Sequence, residues 1–276
     1  MIPMLTTLER VRAHRRLAAD ETSDDALLLN LIAAASAEFT REIGRVCVPF
    51  YAAHRFDAPV LNPFALDLNA DLLEVVALTN GDGTLIPPEN SSLRPINAYP
   101  KWRIALKPGG GIAYTFNSDP HEAISVAGWW GYVPHYDTAW RATGSAVPVG
   151  GMTAGTLTLD TTGAFEIGHY LRVDDEIMRV TARDSTTITL VRGEQGTTAA
   201  NHSAGAPISV FDVLPDVQNA VTEMVAYAYK SLDRVGAPTG GRITVYDGGM
   251  VTVDDLDPLV RRAIADHRRH AVLVIR

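Results

Sequence analysis

The chain has 276 residues, of which 46% are hydrophobic and 20% are charged, and its formal net charge is −8. This balance is typical of a globular protein with a sizeable core, and it argues against a protein that holds nucleic acid by broad neutralisation of phosphates. The single cysteine, Cys47, excludes an intramolecular disulfide and a cysteine-rich zinc site. No run of eighteen apolar residues occurs and the first residues lack the layout of a secretory signal, so we expect neither a membrane span nor export.

The first segment is predicted to be helical. Residues 6–9 read Thr-x-x-Glu, a capping box that is expected to start a short helix. Residues 22–25 repeat the device before a longer helix, which is expected to end at Gly44, with Val46 as the alternative end. The apolar residues of this longer helix recur every three to four positions and predict one buried stripe, formed by Leu28, Ile32, Ala35, Phe39 and Ile43.

A mostly β region is predicted next. Prolines separate short β-prone pieces from residue 49 onward, and NGDG at 80–83 and PGGG at 108–111 have the composition of turns. The region closes with the aromatic, extended segment GWWGYVPHYDTAW. We therefore assign residues 1–48 to a helical part and residues 49–146 to an irregular β domain.

A compact antiparallel β module is predicted over residues 152–212, after a linker of small residues. Apolar residues alternate there in short runs that turn signals separate, which is typical of half-buried strands. The pairs expected to face its core are Leu157 and Leu159, Leu171 and Val173, Met178 and Val180, Ile188 and Leu190, and Ile208 and Val210.

Helices return over residues 213–276. Pro215 near the start and Gly236 past the end indicate one helix, and Asp257-Pro258 is expected to begin a last short one after a hairpin that turns at Asp247-Gly248. Because neither chain end could bury its apolar stripe alone, the two sets of helices are expected to pack together. The predicted fold class is α+β: a small helical bundle built from both chain ends, with a mostly β domain and a β-barrel-like module inserted between the helices.

Three carboxylates stand side by side in YLRVDDEIMRV, residues 170–180: Asp174, Asp175 and Glu176. Adjacent carboxylates can bind a metal or move protons. The inward positions, however, are odd-numbered before this point and even-numbered after it, a change that a two-residue connection produces. We therefore predict a solvated hairpin tip, with Glu176 starting the returning strand and no acid–base site.

Other candidates for chemistry are weaker. The sequence contains no nucleotide-binding, zinc-protease or serine-hydrolase motif. Its eight histidines leave open a hydrolase site assembled in three dimensions, for which His121 (beside Glu122) and His202 are the candidates; the alternative is a histidine on the surface or in a turn. Residues 67–71 begin like a calcium loop but lack its glycine and glutamate, so a plain turn is expected. We predict no catalytic residue, no cofactor and no metal.

Three further groups each have two interpretations. Residues 107–111 could cradle phosphate, but no helix follows, so a hairpin turn is favoured. The aromatic residues at 129–132 could stack on bases or a sugar, whereas packing within a strand is the favoured interpretation. The arginine pairs at 261–262 and 268–269 could contact DNA or form a solvated helix face at the favourable end of the helix dipole.

The two ends of the chain resemble the phage head–tail connector, or portal adaptor, family of long-tailed phages. Members open with a short helix, an acidic gap and a long Ala-rich helix that ends near a Gly-Arg pair. The matching parts here are Leu8 and Val11, Asp20 to Asp25, and Leu27 to Arg45. The segment LPDVQNAVTEMVAYAYKSLD is similar to the family's second long helix.

The middle of the chain resembles a β module that recurs in phage virion proteins. Its pattern is a glycine, a strand, an acidic turn with Glu-x-Met, a second hairpin, and then Arg-Gly-x-x-Gly-Thr and His-x-x-Gly. The matching residues are Gly168, Glu176, Met178, Arg192, Gly193, Gly196, Thr197, His202 and Gly205.

These resemblances imply a structural, non-enzymatic virion protein of the particle neck, assembled in the host cytoplasm. They imply a homo-oligomeric ring, usually of twelve copies, that joins the portal protein to a tail-side stopper or tail terminator protein and lines the DNA exit channel. DNA would pass without specific binding, for which a net negative charge is suited. The apolar end HAVLVIR, residues 270–276, is hypothesised to add a strand to a neighbour such as the portal. A tail-hub or baseplate component, and a carbohydrate-binding role for the module, remain alternatives.

Overall fold

The computed structural model describes residues 3–18, 21–160, 162–232 and 257–269. These residues form two compact units. Unit 1 is built from the described parts of Met1–Cys47, Trp140–Glu194 and Thr198–Arg276, and unit 2 from Val48–Ala139 and Gln195–Thr197. The predicted hairpin at Asp247-Gly248, the helix stop at Gly236 and the tail at 270–276 lie outside the described residues.

Four helices of unit 1 come from the two chain ends: α1 (Leu8–Arg15), α2 (Asp25–Ile43), α3 (Pro215–Leu232) and α4 (Pro258–His267). Helix α3 contacts each of the other three, and α2 also contacts α1 and α4. A hydrogen bond of 2.8 Å between the hydroxyls of Thr6 and Thr222 joins the N-terminal segment to α3. The prediction of one helical bundle from both chain ends is confirmed.

Two of the predicted helix starts differ from the structure in detail. The N-cap of α1 is Thr7, whose hydroxyl accepts a hydrogen bond from the Arg10 N–H, whereas Thr6 is engaged by Thr222. Helix α2 follows Asp24 without a side-chain cap, and it ends at Gly44 in the left-handed conformation, as predicted. The predicted stripe is confirmed, since Leu28, Ile32, Ala35, Phe39 and Ile43 are all buried.

Unit 2 contains a five-stranded antiparallel sheet. Its strands are β1 (Phe50–Phe56), β2 (Ala65–Thr79), β3 (Ser91–Arg94), β4 (Lys101–Leu106) and β5 (Ile124–Trp130), in the order β1-β5-β2-β4-β3. One face covers a core that includes Leu72, Ile104, Ile124, Val126 and Trp130. Strand β2 changes partner along its length, pairing with β4 at its start and with β5 at its end.

The close approach of β5 to β2 depends on Gly128. A Cβ atom at this position would lie 2.1 Å from the Glu74 backbone oxygen. We expect Gly128→Ala to lower the free energy of unfolding by about 1–3 kcal/mol, because one of the two strands must move. Urea denaturation followed by tryptophan fluorescence measures this loss. Gly109→Ala is the control, since a Cβ there meets no atom within 4 Å, and an equal loss in both variants would contradict the prediction.

The second sheet, in unit 1, contains six antiparallel strands: β6 (Trp140–Ala146), β7 (Thr156–Thr158), β8 (Tyr170–Val173), β9 (Glu176–Arg183), β10 (Thr187–Glu194) and β11 (Pro207–Phe211). Their order is β6-β11-β8-β9-β10-β7. All ten apolar residues predicted to face the core of the module are buried in one cluster. Strand β6 pairs with β11, although residues 140–146 were assigned from sequence to the preceding region. The fold class predicted from sequence, α+β, is confirmed.

Candidate functional site

The acidic hairpin between β8 and β9 has the predicted geometry. Val173 pairs with Glu176, so Asp174 and Asp175 form a two-residue connection. Asp174 has a φ of 50°, in the left-handed region that such tight hairpin turns use. The side chain of Asp175 is 92% exposed. The tip of the hairpin is therefore solvated, as expected, but the third carboxylate is not part of that tip.

Glu176 is buried, with a side-chain exposure of 1%. Its Oε1 accepts hydrogen bonds from Arg192 Nε and the Gly193 N–H, each at 3.0 Å. Its Oε2 lies 2.6 Å from Arg192 Nη2, 2.9 Å from the Ala200 N–H and 2.8 Å from His202 Nε2. Glu176 starts the returning strand as predicted, but it is not solvated, because five N–H groups converge on this one carboxylate.

His202 connects the buried carboxylate to the hairpin tip. Its ring is 1% exposed, with Nε2 on Glu176 and Nδ1 at 2.7 Å from Asp174 Oδ2. Both ring nitrogens of His202 are therefore within hydrogen-bonding distance of a carboxylate oxygen. The backbone of His202 also exchanges two hydrogen bonds with Met152. The interpretation of His202 as a surface histidine is therefore wrong, because its side chain is buried.

The electrostatics of the site stabilise an ionised Glu176. Burial alone raises the pKa of the carboxyl, but the hydrogen bonds from Arg192, Ala200, His202 and Gly193 outweigh it and lower the pKa to about 2. Arg192 Nη2 also donates to the Ala200 carbonyl, which fixes the guanidinium against the loop that precedes His202. Glu176 thus pairs with Arg192, and His202 links the same carboxylate to Asp174.

The residues of the virion-module pattern build this network. Arg192 and His202 supply side-chain contacts to Glu176. Gly193 supplies a backbone N–H while adopting a φ of 64°, which strongly favours glycine. Met178 is buried in the core of the module. The sequence pattern could have located the site, because its charged members, 16 and 26 residues from Glu176, are the carboxylate's partners.

The arrangement does not provide the parts of a hydrolase. In the described part of the chain, His202 makes side-chain hydrogen bonds only to Asp174 and Glu176, so no hydroxyl or thiol stands in the position of a nucleophile. Within the same ranges, no group of three or more metal-ligating side chains is placed to hold an ion. His121 lies in unit 2, where its exposed ring is 3.4 Å from Asp57. The network can orient and stabilise the module, which is a structural role.

Two loop candidates also have ordinary explanations. Residues 67–71 lie within strand β2, and Asp67 there bonds Arg103 with both carboxylate oxygens, so the expected plain turn is wrong. The PGGG segment forms an exposed turn over Pro108–Gly110, but it is not the expected hairpin, because β4 before it pairs with β2 and β3, and β5 after it pairs with β1 and β2. Neither segment has the geometry of a ligand-binding loop.

The aromatic and basic candidates pack against their own units. Trp130 is buried and its indole N–H donates to the Ala52 carbonyl, which agrees with strand packing. Arg262 pairs with Asp266 on α4, and Arg268 bonds both the carboxylate and the carbonyl of Glu42. The C-terminal end of α4 is therefore fastened to α2.

Among the described helices, none combines the length and apolarity that a membrane crossing requires. No family model matches the chain, and no curated protein matches it. One solved structure with similarity to this chain is described as "Neck of empty GTA particle computed with C6 symmetry". The two chains are 16% identical, the match covers 99% of this chain and 95% of that chain, and the TM-score is 0.42.

Proposed function

We propose that this protein is a structural component of a phage-like virion, an adaptor that forms a ring between the portal and the tail. The observation that carries the proposal is the packing of α1 and α2 with α3 and α4. These helices include the two long segments that resemble the portal adaptor family, and they come together although about 170 residues separate Ile43 from Pro215. If the resemblance extends to the whole core of the family, and not only to two separate helices, these helices have to pack together, as they do here.

The Glu176 network supports a structural role over a catalytic one. Both oxygens of the buried Glu176 carboxylate and both ring nitrogens of His202 are engaged within the module. Satisfied buried polar groups of this kind rigidify the region that contains them. Rigidity of this kind suits a part that transmits load between a head and a tail.

The proposed ring has twelve copies, by resemblance to the family, and contacts the portal protein on one side and a stopper or tail terminator protein on the other. A closed ring requires heterologous interfaces, in which different faces of each subunit meet. The exposed side of α2 and the β units are the proposed faces. DNA would pass through the lumen without specific binding, which the net charge of −8 favours.

The C-terminal tail is the proposed contact with the portal. Arg268 and the Arg269 N–H are bonded to Glu42 and Ile43 at the end of α2, so the point where residues 270–276 begin is fixed. Five consecutive apolar residues, Ala271 to Ile275, follow this anchor. Such a segment is suited to adding a strand to a partner's sheet.

Mass measurement of the full chain, alone and mixed with the portal protein of its phage, tests the proposal. We expect a complex whose mass corresponds to one adaptor per portal subunit. A chain that lacks residues 270–276 is expected to lose most of this binding. A variant with Val272→Ser and Val274→Ser keeps the full length of the chain but has a less apolar tail, and it serves as the comparison for the truncated chain. A monomer that ignores the portal would overturn the adaptor assignment, whereas normal binding by the truncated chain would remove only the role of the tail.

A tail-hub or baseplate position is the second candidate, because the module pattern is shared among virion proteins of several kinds. Negative-stain images of mixtures with portal separate the two positions. A portal-bound ring supports the adaptor, and binding to tail components alone supports the hub.

A further inference from the structure

A groove on the surface of unit 2 combines an exposed aromatic ring with polar side chains. Its volume is about 730 Å³, and it lies beside strands β3 and β4. Trp102 of β4 is 51% exposed and Ile96, in the loop that follows β3, is 60% exposed. Large apolar side chains this exposed are informative when they border one concavity together with polar groups.

Several hydrogen-bond donors at this groove have no acceptor within the described ranges. The guanidinium of Arg94, the amide of Asn97 and the indole N–H of Trp102 all line the groove and are bonded to no described residue. Asn62 uses only its oxygen, which accepts from the Phe64 N–H at 3.2 Å, so its NH₂ group is also available. Donors left open around an aromatic ring indicate a ligand rich in acceptor oxygens.

The groove is held in shape without a ligand. The ammonium group of Lys101 donates to the carbonyls of Pro95 and Ile96, each at 2.9 Å, and lies 4.1 Å from the centre of the Tyr99 ring. Lys101 itself is buried. These contacts fix the loop that carries Ile96 and Asn97, so a ligand would not have to order it on binding.

The charge at the groove limits what the ligand can be. Arg103 is neutralised by Asp67, with its guanidinium 5.0 Å from the centre of the Trp102 ring, which leaves Arg94 as the one groove arginine without a carboxylate among the described residues. Residues 48–139 carry five Lys or Arg against nine Asp or Glu. The net negative charge of this unit disfavours a polyanion such as a nucleic acid, whereas it does not disfavour a neutral or singly charged ligand.

We propose that the groove is a carbohydrate-binding site for an oligosaccharide of neutral or singly carboxylated sugars. The C–H face of a sugar ring packs on the indole of Trp102, and the ring hydroxyls accept from Asn62, Asn97 and the indole N–H. Arg94 pairs with a carboxylate where the sugar carries one. On a virion, this site would give the particle a contact with cell-surface polysaccharide.

An array of defined neutral, amino and uronic-acid oligosaccharides, probed with the full-length chain, tests this site. The strongest binder is then titrated against wild type, Trp102→Ala, Asn97→Ala and the matched control Phe116→Ala, an exposed aromatic residue of the same unit that does not line the groove. Loss of the stacked ring is expected to weaken binding at least about tenfold. Asn97→Ala is expected to weaken it less, and Phe116→Ala to leave it unchanged.

Three outcomes would overturn the site. These are no binding to any sugar on the array, equal affinity for wild type and Trp102→Ala, or tighter binding of a single-stranded oligothymidine that depends on Trp102. Equal thermal melting of the variants establishes that they are folded. Portal binding by Trp102→Ala is expected to match wild type, so a failure here leaves the adaptor proposal standing.

Discussion

Glu176→Gln is expected to lower the free energy of unfolding by about 3 kcal/mol or more, because the variant removes the carboxylate charge opposite the part-buried Arg192 and replaces the acceptor that the buried His202 contacts. The substitution keeps the shape of the side chain, so packing is preserved and the loss reports on charge. Two of the five donors are backbone N–H groups that would then face an amide. Because Glu176 is both buried and charged, we expect it to be among the polar residues of the module that tolerate substitution least.

Hydrogen exchange of peptides that cover β8 to β11 measures this loss locally, without assuming that the two units unfold together. Asp175→Asn is the matched control, since it is also a carboxylate-to-amide change in the same hairpin but at a 92% exposed side chain. Its effect is expected to stay within about 0.5 kcal/mol. Equal protection of wild type and Glu176→Gln would show that the network contributes nothing to stability.

The second large effect is expected in acid. Folding lowers the pKa of Glu176 from 4.5 to about 2, so the unfolded chain binds this proton more readily than the folded one. The stabilisation is therefore fully present above pH 4.5, amounts to about 3 kcal/mol, and is lost as the pH falls through 2.

Unfolding free energies of wild type and Glu176→Gln, measured from pH 7 to pH 2, test this dependence. We expect a constant difference above pH 5 that shrinks steadily below pH 4.5. A difference that stays constant down to pH 2 would mean that Glu176 is not the group that titrates.

The hairpin could be predicted from sequence because strand geometry is local. A two-residue connection changes the parity of inward-facing residues, and the apolar residues on both sides of Asp174 and Asp175 record that change directly. The same local logic located the stripe of α2 and the stop at Gly44. Each of these features is decided by residues within one or two turns of the chain.

The burial of Glu176 could not be predicted in this way. A carboxylate at the start of a strand is ordinarily solvated, and only the arrival of Arg192 and His202 from other parts of the module makes its burial favourable. Thr6 is a similar case: it has the sequence signature of a cap, but Thr222, 216 residues away, engages its hydroxyl. Predictions from local sequence patterns fail where a polar group hydrogen-bonds to a residue that is distant in the sequence and not to a neighbour along the chain.

The joining of both chain ends in one helical bundle has a consequence for synthesis. Helix α2 leaves the ribosome early, yet its stripe from Leu28 to Ile43 has to wait for α3, about 170 residues later, to be covered. At ~5–20 residues per second, that interval is roughly ten to thirty seconds. The module needs no such wait, since its core is contained within residues 147–210. The β module can therefore be complete on the nascent chain while the N-terminal helices are still open to a chaperone, or to the same helices on a neighbouring ribosome.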